Sequence, residues 1–143
     1  MEESTNYKSM VCESCGKKIN YLFIHNGFNE SSYAYCDKCG KTALFDTSMV
    51  PNSLKELFNQ NSRHNVISKE LENHIMSCDC GGRYRHGASP RCPHCNKELS
   101  AMYAKRYIED NSPGAINGWK WQGNWVGLYA IIVEDKSVKN CWK

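Results

Sequence analysis

The sequence predicts a small α+β fold with two cysteine-rich lobes, joined by short helices and followed by a C-terminal antiparallel β-meander. Three observations support this prediction. The chain has 143 residues, of which 41% are hydrophobic, and a mean hydropathy of −0.64, which argues against one large apolar core. Eight of its nine cysteine residues fall into four close pairs. Short alternating apolar segments lie between turn-forming residues, as is typical of β-strands.

The cysteine pairs have the spacing of metal ligands. Two ligands separated by one or two residues present both sulfur atoms to one ion, and four thiolates complete the tetrahedral shell of Zn²⁺. Disulfide bonding is the alternative. The N-terminus has no apolar secretion signal, so we expect a reducing cytoplasmic compartment, where such pairs bind metal. The sequence therefore predicts two structural Zn²⁺ ions, with iron as the less favoured metal. The predicted ligands are Cys12, Cys15, Cys36, Cys39, Cys78, Cys80, Cys92 and Cys95.

The grouping of the four pairs has two solutions on sequence grounds. The favoured one is sequential, with the first two pairs on one ion and the last two on the other. In the alternative, a cross-brace, the first and third pairs share an ion. Sequential sets are self-contained, so we expect each lobe to fold around its own metal. His86 and His94 lie within the second set, and we expect both to be exposed because four thiols already complete that site.

The remaining segments are assigned from periodicity and turn signals. Residues 19–24 and 32–35 read as two strands of a hairpin, turned at Asn26-Gly27. A helix is expected to begin at Ser53, because Ser53-Leu-Lys-Glu56 is a capping box. Further helices are expected over 68–76 and over 100–110, the last one capped by Ser100. Strands over 118–122, 126–133 and 138–142 would form the meander. These elements predict three parts: an N-terminal lobe over 1–50, a helical linker over 51–77, and a second lobe with helix and meander over 78–143.

The paired cysteines and the glycine that follows Cys15 and Cys39 carry a resemblance. The pattern C-x-x-C-G, repeated on either side of a hairpin, is similar to the zinc-ribbon (rubredoxin-like) superfamily over about 12–40 and, with a C-x-C variant, over about 78–95. The whole chain resembles small bacterial tandem zinc-ribbon proteins. This resemblance implies a metal-bound fold, but it implies no activity, because ribbons serve in many functional contexts.

The basic charge is concentrated near the second cysteine set. Residues 81–106 contain six Lys and Arg residues and one acidic residue, whereas the whole chain has a net charge of +3. We take Arg83, Arg85 and Arg91 as candidate partner-binding residues. Arginine beside aromatic rings is typical of single-strand and RNA readers. The plainer interpretation is a solvated face whose arginines offset the negative charge of nearby thiolates.

A cluster of tryptophan residues precedes the C-terminus. Trp119, Trp121 and Trp125 lie within seven residues and are candidate partner-binding residues, because tryptophan is frequent in interface hot spots. They could equally form the core of the meander. Cys141, the unpaired thiol, is expected to be structural, because no His/Asp arrangement can be assigned to it.

These observations favour binding over catalysis. The sequence contains no phosphate-binding glycine loop, no H-E-x-x-H and no G-x-S-x-G motif. No apolar run approaches the length of a membrane span. The sequence therefore predicts a non-enzymatic protein-recognition module, such as an adaptor, a regulator or a toxin-neutralising partner. The alternative is a nucleic-acid-binding protein that uses the basic face. Nothing in the sequence indicates an oligomeric state.

Overall fold

The computed structural model of the chain describes residues 8–25, 31–61, 67–111, 129–134 and 136–143. It confirms a small α+β fold, rich in sheet. Two short 3₁₀ turns, Thr47–Met49 and Asn52–Leu54, precede α1. The elements are β1 (Lys8–Val11), β2 (Lys18–His25), β3 (Ser31–Cys36), β4 (Thr42–Asp46), α1 (Lys55–Asn61), α2 (Lys69–Glu72), β5 (Tyr84–Arg85), α3 (Ala101–Asn111), β6 (Tyr129–Val133) and β7 (Ser137–Lys139).

The strands form two sheets. The first has the order β1-β2-β6 and is antiparallel throughout. The second has the order β5-β3-β4-β7, and β7 runs parallel to β4. The predicted strands at 19–24 and 32–35 are both present as β2 and β3, but the predicted hairpin between them is wrong. Each strand instead pairs across its own cysteine turn, β2 with β1 and β3 with β4, so the tight turn of each hairpin is the C-x-x-C segment.

The predicted C-terminal meander is also wrong for the strands that the structure describes. β6 pairs with β2 in the first sheet and β7 with β4 in the second. The chain changes sheets just after Val133. The Glu134 backbone N–H donates to Asn20 O (2.8 Å) and the Thr42 N–H donates to Lys136 O (3.2 Å), so two residues only two positions apart are held by different sheets. The predicted strand over 118–122 lies outside the described residues, as do Trp119, Trp121 and Trp125.

The second sheet is buried on both faces. Tyr33 and Tyr35 of β3 pack with residues of the first sheet and of α3, including Ile131 and Ile108. Successive side chains of a strand point to opposite faces, and Ala34 and Cys36 accordingly belong to a second hydrophobic cluster, which includes residues of α1 and α2. The order of layers is therefore first sheet and α3, second sheet, then the short helices.

Hydrogen bonds between side chains and backbone join the two sheets at Ile131. β6 is an edge strand, and its Ile131 N–H donates to the Tyr35 hydroxyl (3.1 Å) while the Thr42 hydroxyl donates to Ile131 O (3.1 Å). Tyr35 and Thr42 are fully buried. Burial also raises the pKa of Tyr35 far above its usual value, so the hydroxyl stays neutral. A buried backbone group without a partner would destabilise the fold. The Tyr35 and Thr42 side chains therefore bond the backbone groups of Ile131 at an edge that no further strand of the described residues covers.

The helices follow the predicted positions more closely than the predicted lengths. α3 begins where expected, and the Tyr103 N–H donates to the Ser100 hydroxyl (3.3 Å), which confirms Ser100 as its cap. The predicted helix over 68–76 ends early, at Glu72. The longest helix among the described residues has 11 residues. None of the described helices is long and apolar enough to cross a bilayer.

The C-terminal residues 140–143 contact both the second sheet and the residues that follow α2. The Met76 N–H donates to Cys141 O (2.9 Å), and the Lys143 N–H donates to His74 O (2.9 Å). The Trp142 ring lies 4.6 Å from that of Phe45 and 6.0 Å from that of Phe58, measured between ring centroids. Cys141 is half-buried within this segment, and its burial raises the pKa of the thiol. Its structural role stays a prediction.

We predict that Trp142→Ala lowers the free energy of unfolding by about 2–3 kcal/mol, because the ring fills the space between Phe45 and Phe58. Chemical denaturation of the zinc-loaded protein measures this. The matched control is Met76→Ala, since Met76 is 52% exposed and its truncation should change stability by no more than about 0.5 kcal/mol. Equal losses for both variants would show that Trp142 does not contribute to the core.

Candidate metal centres and the basic face

All eight predicted cysteine ligands gather into two groups of four. Within each group the sulfur atoms lie within 4.8 Å of one another. We call Cys12, Cys15, Cys92 and Cys95 the outer centre, and Cys36, Cys39, Cys78 and Cys80 the inner centre. The pairing is nested: the first pair meets the fourth, and the second meets the third. Both groupings considered from the sequence, sequential and cross-braced, are therefore wrong.

Strand pairing explains the nested arrangement. β5 pairs with β3, with Cys36 opposite Tyr84, and this register brings the loop over 78–82 next to the turn over 36–39. The turn over 12–15 belongs instead to the first sheet. It meets the turn over 92–95 because Cys12, Cys92 and the start of α3 share one hydrophobic cluster. The sheets thus separate two cysteine turns that are neighbours in the sequence.

Three of the four cysteine turns have the same backbone closure. In each C-x-x-C segment, the N–H of the first cysteine donates to the carbonyl of a lysine five residues later, at 2.9–3.0 Å. The residue after the second cysteine has a positive φ in all three. Glycine reaches this region without strain and asparagine is the usual substitute. The C-x-x-C-G pattern in the sequence already indicated Gly16 and Gly40 as turn residues. Asn96, at the same position after Cys95, was missed, although the C-x-x-C-N segment was a signal for it.

The fourth turn, Cys78-x-Cys80, depends on two glycines instead. Gly81 has a φ of +94°. A Cβ on Gly82 would lie 2.6 Å from Cys36 Sγ, so only glycine allows this close approach to the facing turn. The Gly82 N–H also donates to Cys80 Sγ (3.3 Å). The shorter C-x-C spacing is therefore possible because Gly81 adopts a positive φ and Gly82 has no side chain to clash with the facing turn.

The sulfur geometry fits a tetrahedral metal. A Zn–S bond of about 2.3 Å gives a sulfur–sulfur edge of about 3.8 Å in a tetrahedron. Cys12 Sγ lies 3.7 Å from Cys95 Sγ, and Cys15 Sγ lies 3.7 Å from Cys92 Sγ. The corresponding distances in the inner centre are 3.5 Å and 3.6 Å. Both groups could therefore hold a metal ion with all four positions supplied by the protein.

Backbone N–H groups prepare one thiol in each centre for deprotonation. Burial alone would raise the pKa of the Cys12 thiol, but N–H groups of Cys15 and Ser14, with the neighbouring sulfurs, lower it to about 7. Burial is opposed in the same way at Cys80, where the Gly82 N–H and the neighbouring sulfurs lower the pKa to about 7. Metal binding requires thiolates, so each metal-free centre holds one thiol that ionises near neutral pH.

The outer centre is more open to solvent than the inner one. Cys15 and Cys95 are exposed, whereas Cys39 and Cys80 are half-buried. In both centres the other two cysteines are buried. Among the eight paired cysteines, Cys15 and Cys95 are therefore the residues most accessible to a reagent in solution.

Arg91 joins the two centres. Its guanidinium donates to Asn96 O (2.8 Å), in a turn of the outer centre, and to Asp37 O (3.1 Å), in a turn of the inner centre. The backbone of Gly40 approaches that of Arg91 so closely that a Cβ on Gly40 would overlap the Arg91 nitrogen. Arg91, a predicted partner-binding residue, is half-buried and serves as a structural joint.

The other two predicted partner-binding arginines are exposed. Arg85 Nε lies 2.7 Å from Asp37 Oδ2, and Arg83 contributes its backbone N–H to Asp37 Oδ1 (3.0 Å). His86 and His94 are exposed as expected and lie outside both sulfur groups. His86 Nδ1 is 2.9 Å from Ile67 O, and His94 Nε2 is 3.1 Å from Lys18 O.

The division of the chain into 1–50, 51–77 and 78–143 stays a prediction, because it concerns independent folding. Each sulfur group, however, takes two cysteines from the first segment and two from the third. Each centre would therefore link the first of these segments to the third.

We predict that Cys15→Ser removes the metal of the outer centre and leaves the inner one. In the presence of a chelator and a thiol-alkylating reagent, Cys92 and Cys95 should become modified while Cys78 and Cys80 stay protected, as read by peptide mass spectrometry. Sequential grouping would instead expose Cys36 and Cys39, and a cross-brace would expose Cys78 and Cys80. The matched control, Cys80→Ser, should expose Cys36 and Cys39 and spare the outer set.

We also predict unequal reactivity in the unsubstituted protein. A limited amount of alkylating reagent should modify Cys15 and Cys95 first and release one metal ion per chain before the second. The reason is their exposure. Modification that begins at Cys39 or Cys80, or release of both ions together, would contradict this order.

Comparison with known proteins gives one match. No curated protein and no solved structure matches the chain. The sequence model of the family described as Domain of unknown function (DUF8255) matches residues 8–101. This span runs from β1 to the first residue of α3, includes all eight paired cysteines and covers more than half of the 143 residues. The chain belongs to the DUF8255 family.

Proposed function

We propose that the chain is a non-enzymatic zinc-binding module that recognises a protein partner. One observation carries the metal part of this proposal: in both centres four sulfur atoms are spaced for a tetrahedron, so the protein supplies every ligand. Catalytic zinc keeps a position for water or substrate and has about three protein ligands. The donor set here supports a structural ion in each centre.

The bound ions would supply folding energy. A structural Zn²⁺ contributes on the order of 10–16 kcal/mol of apparent binding energy, which is also energy of folding. Because the thiol groups are nested, each ion would connect a segment before residues 51–77 with a segment after them. The binding energy would therefore stabilise contacts between distant parts of the chain. Four thiolates in a reducing compartment favour zinc. Iron is the alternative metal, and metal analysis distinguishes the two.

Charge favours a protein partner over nucleic acid. The formal charge of the chain is +3 with neutral thiols. Eight thiolates and two divalent ions add −4, so the zinc-loaded protein would carry −1. Contacts within the fold also use part of the basic face, since Arg85 pairs with Asp37 and the Arg91 guanidinium donates to two backbone carbonyl oxygens. Nucleic-acid binding depends on neutralising phosphates with free Lys and Arg, and the loaded protein retains little positive charge.

The recognition surface that we propose combines exposed arginines with the tryptophan-rich segment. Arg83 and Arg85 are exposed on the second sheet's β5 side. Trp119, Trp121 and Trp125 remain candidates from the sequence. Arginine and tryptophan are the residues most enriched in interface hot spots, which supports a protein partner at this surface.

Two measurements on the zinc-loaded protein test the function. Fluorescence anisotropy with short single- and double-stranded RNA and DNA at two salt concentrations should show no binding at low salt. Affinity purification from lysate should enrich a partner with the unsubstituted chain and lose it with Trp119→Ala or Trp121→Ala. The matched control, Lys69→Ala, changes an exposed residue of α2 and should retain the partner.

Micromolar nucleic-acid binding that weakens several-fold with salt and with Arg83→Ala would replace the proposal with the nucleic-acid alternative. Metal analysis by mass spectrometry should return two zinc ions per chain. A value of one, or iron in place of zinc, would contradict the metal assignment.

A further inference from the structure

Each turn of the outer centre carries one exposed and one buried cysteine. Cys15 and Cys95 are exposed, whereas Cys12 and Cys92 are buried in the hydrophobic cluster between the sheets. The sulfur of each exposed cysteine lies close to that of the buried cysteine in the facing turn. The distance is 3.7 Å from Cys15 Sγ to Cys92 Sγ and 3.7 Å from Cys95 Sγ to Cys12 Sγ. Each accessible cysteine therefore has a shielded thiol beside it, and the two belong to different turns.

The inner centre has the same sulfur spacing but is less accessible. Its corresponding sulfur–sulfur distances are 3.5 Å and 3.6 Å. Cys39 and Cys80 are half-buried and pack against the second hydrophobic cluster, as does Trp142. Spacing alone would make the two centres equally reactive. Accessibility distinguishes them, so a reagent that attacks thiolates meets the outer centre first.

Hydrogen bonds that use no sulfur atom also hold the two outer turns together. His94, in the second turn, has its Nε2 3.1 Å from the carbonyl oxygen of Lys18, which follows the first turn. The Tyr103 hydroxyl donates to Val11 O (2.8 Å), which directly precedes the first turn. These contacts do not depend on a bound ion. The two turns therefore stay side by side when the ion leaves, and their thiols stay within reach of one another.

We infer that the outer centre is an oxidation-sensitive site, where a peroxide links an exposed cysteine to the buried cysteine of the facing turn and the metal is released. The linked pair is Cys15 with Cys92 or Cys95 with Cys12. Oxidation of cysteine follows thiolate character and exposure, and metal ligation keeps all four thiols as thiolates. The inference rests on the metal part of the proposed function and requires no protein partner.

The chemistry balances in two steps. In the first, the thiolate of the exposed cysteine attacks one peroxide oxygen, so that an S–O bond forms, the O–O bond breaks and hydroxide leaves. In the second, the thiolate of the facing cysteine attacks that sulfur, so that the S–S bond forms, the S–O bond breaks and a second hydroxide leaves. Two protons from solvent convert both hydroxides to water. The two sulfur atoms lose the two electrons that reduce the peroxide, and the two thiolates that remain are too few for a closed zinc site.

The experiment treats the zinc-loaded full chain with hydrogen peroxide and follows released Zn²⁺ with a chromogenic chelator. We expect the loss of one of the two ions per chain, with the second retained. Trypsin digestion without a reductant then locates the disulfide. Cleavage at lysine and arginine places Cys12 and Cys15 on the peptide over 9–17, and Cys92 and Cys95 on the peptide over 92–97. A link between facing turns joins these two peptides, whereas a link within one turn leaves them separate.

Reversal and a control variant complete the test. A thiol reductant with added Zn²⁺ should restore two ions per chain and the amide NMR spectrum of the untreated protein, because the turns stay adjacent. Cys141→Ala, the matched control, removes the half-buried thiol that belongs to neither centre and should leave both the zinc loss and the joined peptides unchanged.

Joined peptides with loss of one ion, reversed by the reductant, support the inference. Release of both ions together, oxidation that begins at the inner cysteines, or separate peptides each with an internal disulfide would overturn it, and so would retention of both ions. Metal analysis before oxidation separates this result from a failure of the zinc assignment. Failure of the partner purification leaves it unaffected.

Discussion

The nested grouping of thiols is the constraint on which the rest of the fold depends. Cys15 and Cys92 are separated by 77 positions, yet their sulfur atoms lie 3.7 Å apart. Closing a long loop costs conformational entropy, and a small domain has little apolar surface to offset that cost. Metal binding at two such closures would provide the missing free energy. It would also explain why a chain of this size can support two sheets.

Each metal centre adjoins a different hydrophobic cluster. Cys12 and Cys92 pack among the residues between the sheets, while Cys36 and Cys78 pack beneath the second sheet. Arg91 and the close approach at Gly40 connect the centres directly. Backbone contacts therefore connect the two centres, although each centre draws its four thiols from its own pair of turns.

Metal loading also determines the electrostatics. The sequence has a basic stretch at 81–106, but the loaded centres would reverse the sign of the formal net charge, from +3 to −1. Within the described residues, Lys41 pairs with the carboxylate of Asp79 and Arg85 with that of Asp37.

The sequence by itself determined the ligand residues, the strands β2 and β3, the capped helix α3 and the small α+β class, because spacing, alternation and capping are local signals. It could not determine which cysteine pairs meet, since each pair presents the same two sulfurs whatever its partner. The predicted pairing of β2 with β3 in a hairpin was wrong, as was the predicted meander for the strands that the structure describes, because neither strand sequence specifies its partner. Strand pairing is decided by tertiary contacts, here the cysteine turns and the bonds at Ile131. Only the folded chain could place Arg91 between the centres, because its partners, Asp37 and Asn96, lie on opposite sides of it in the sequence.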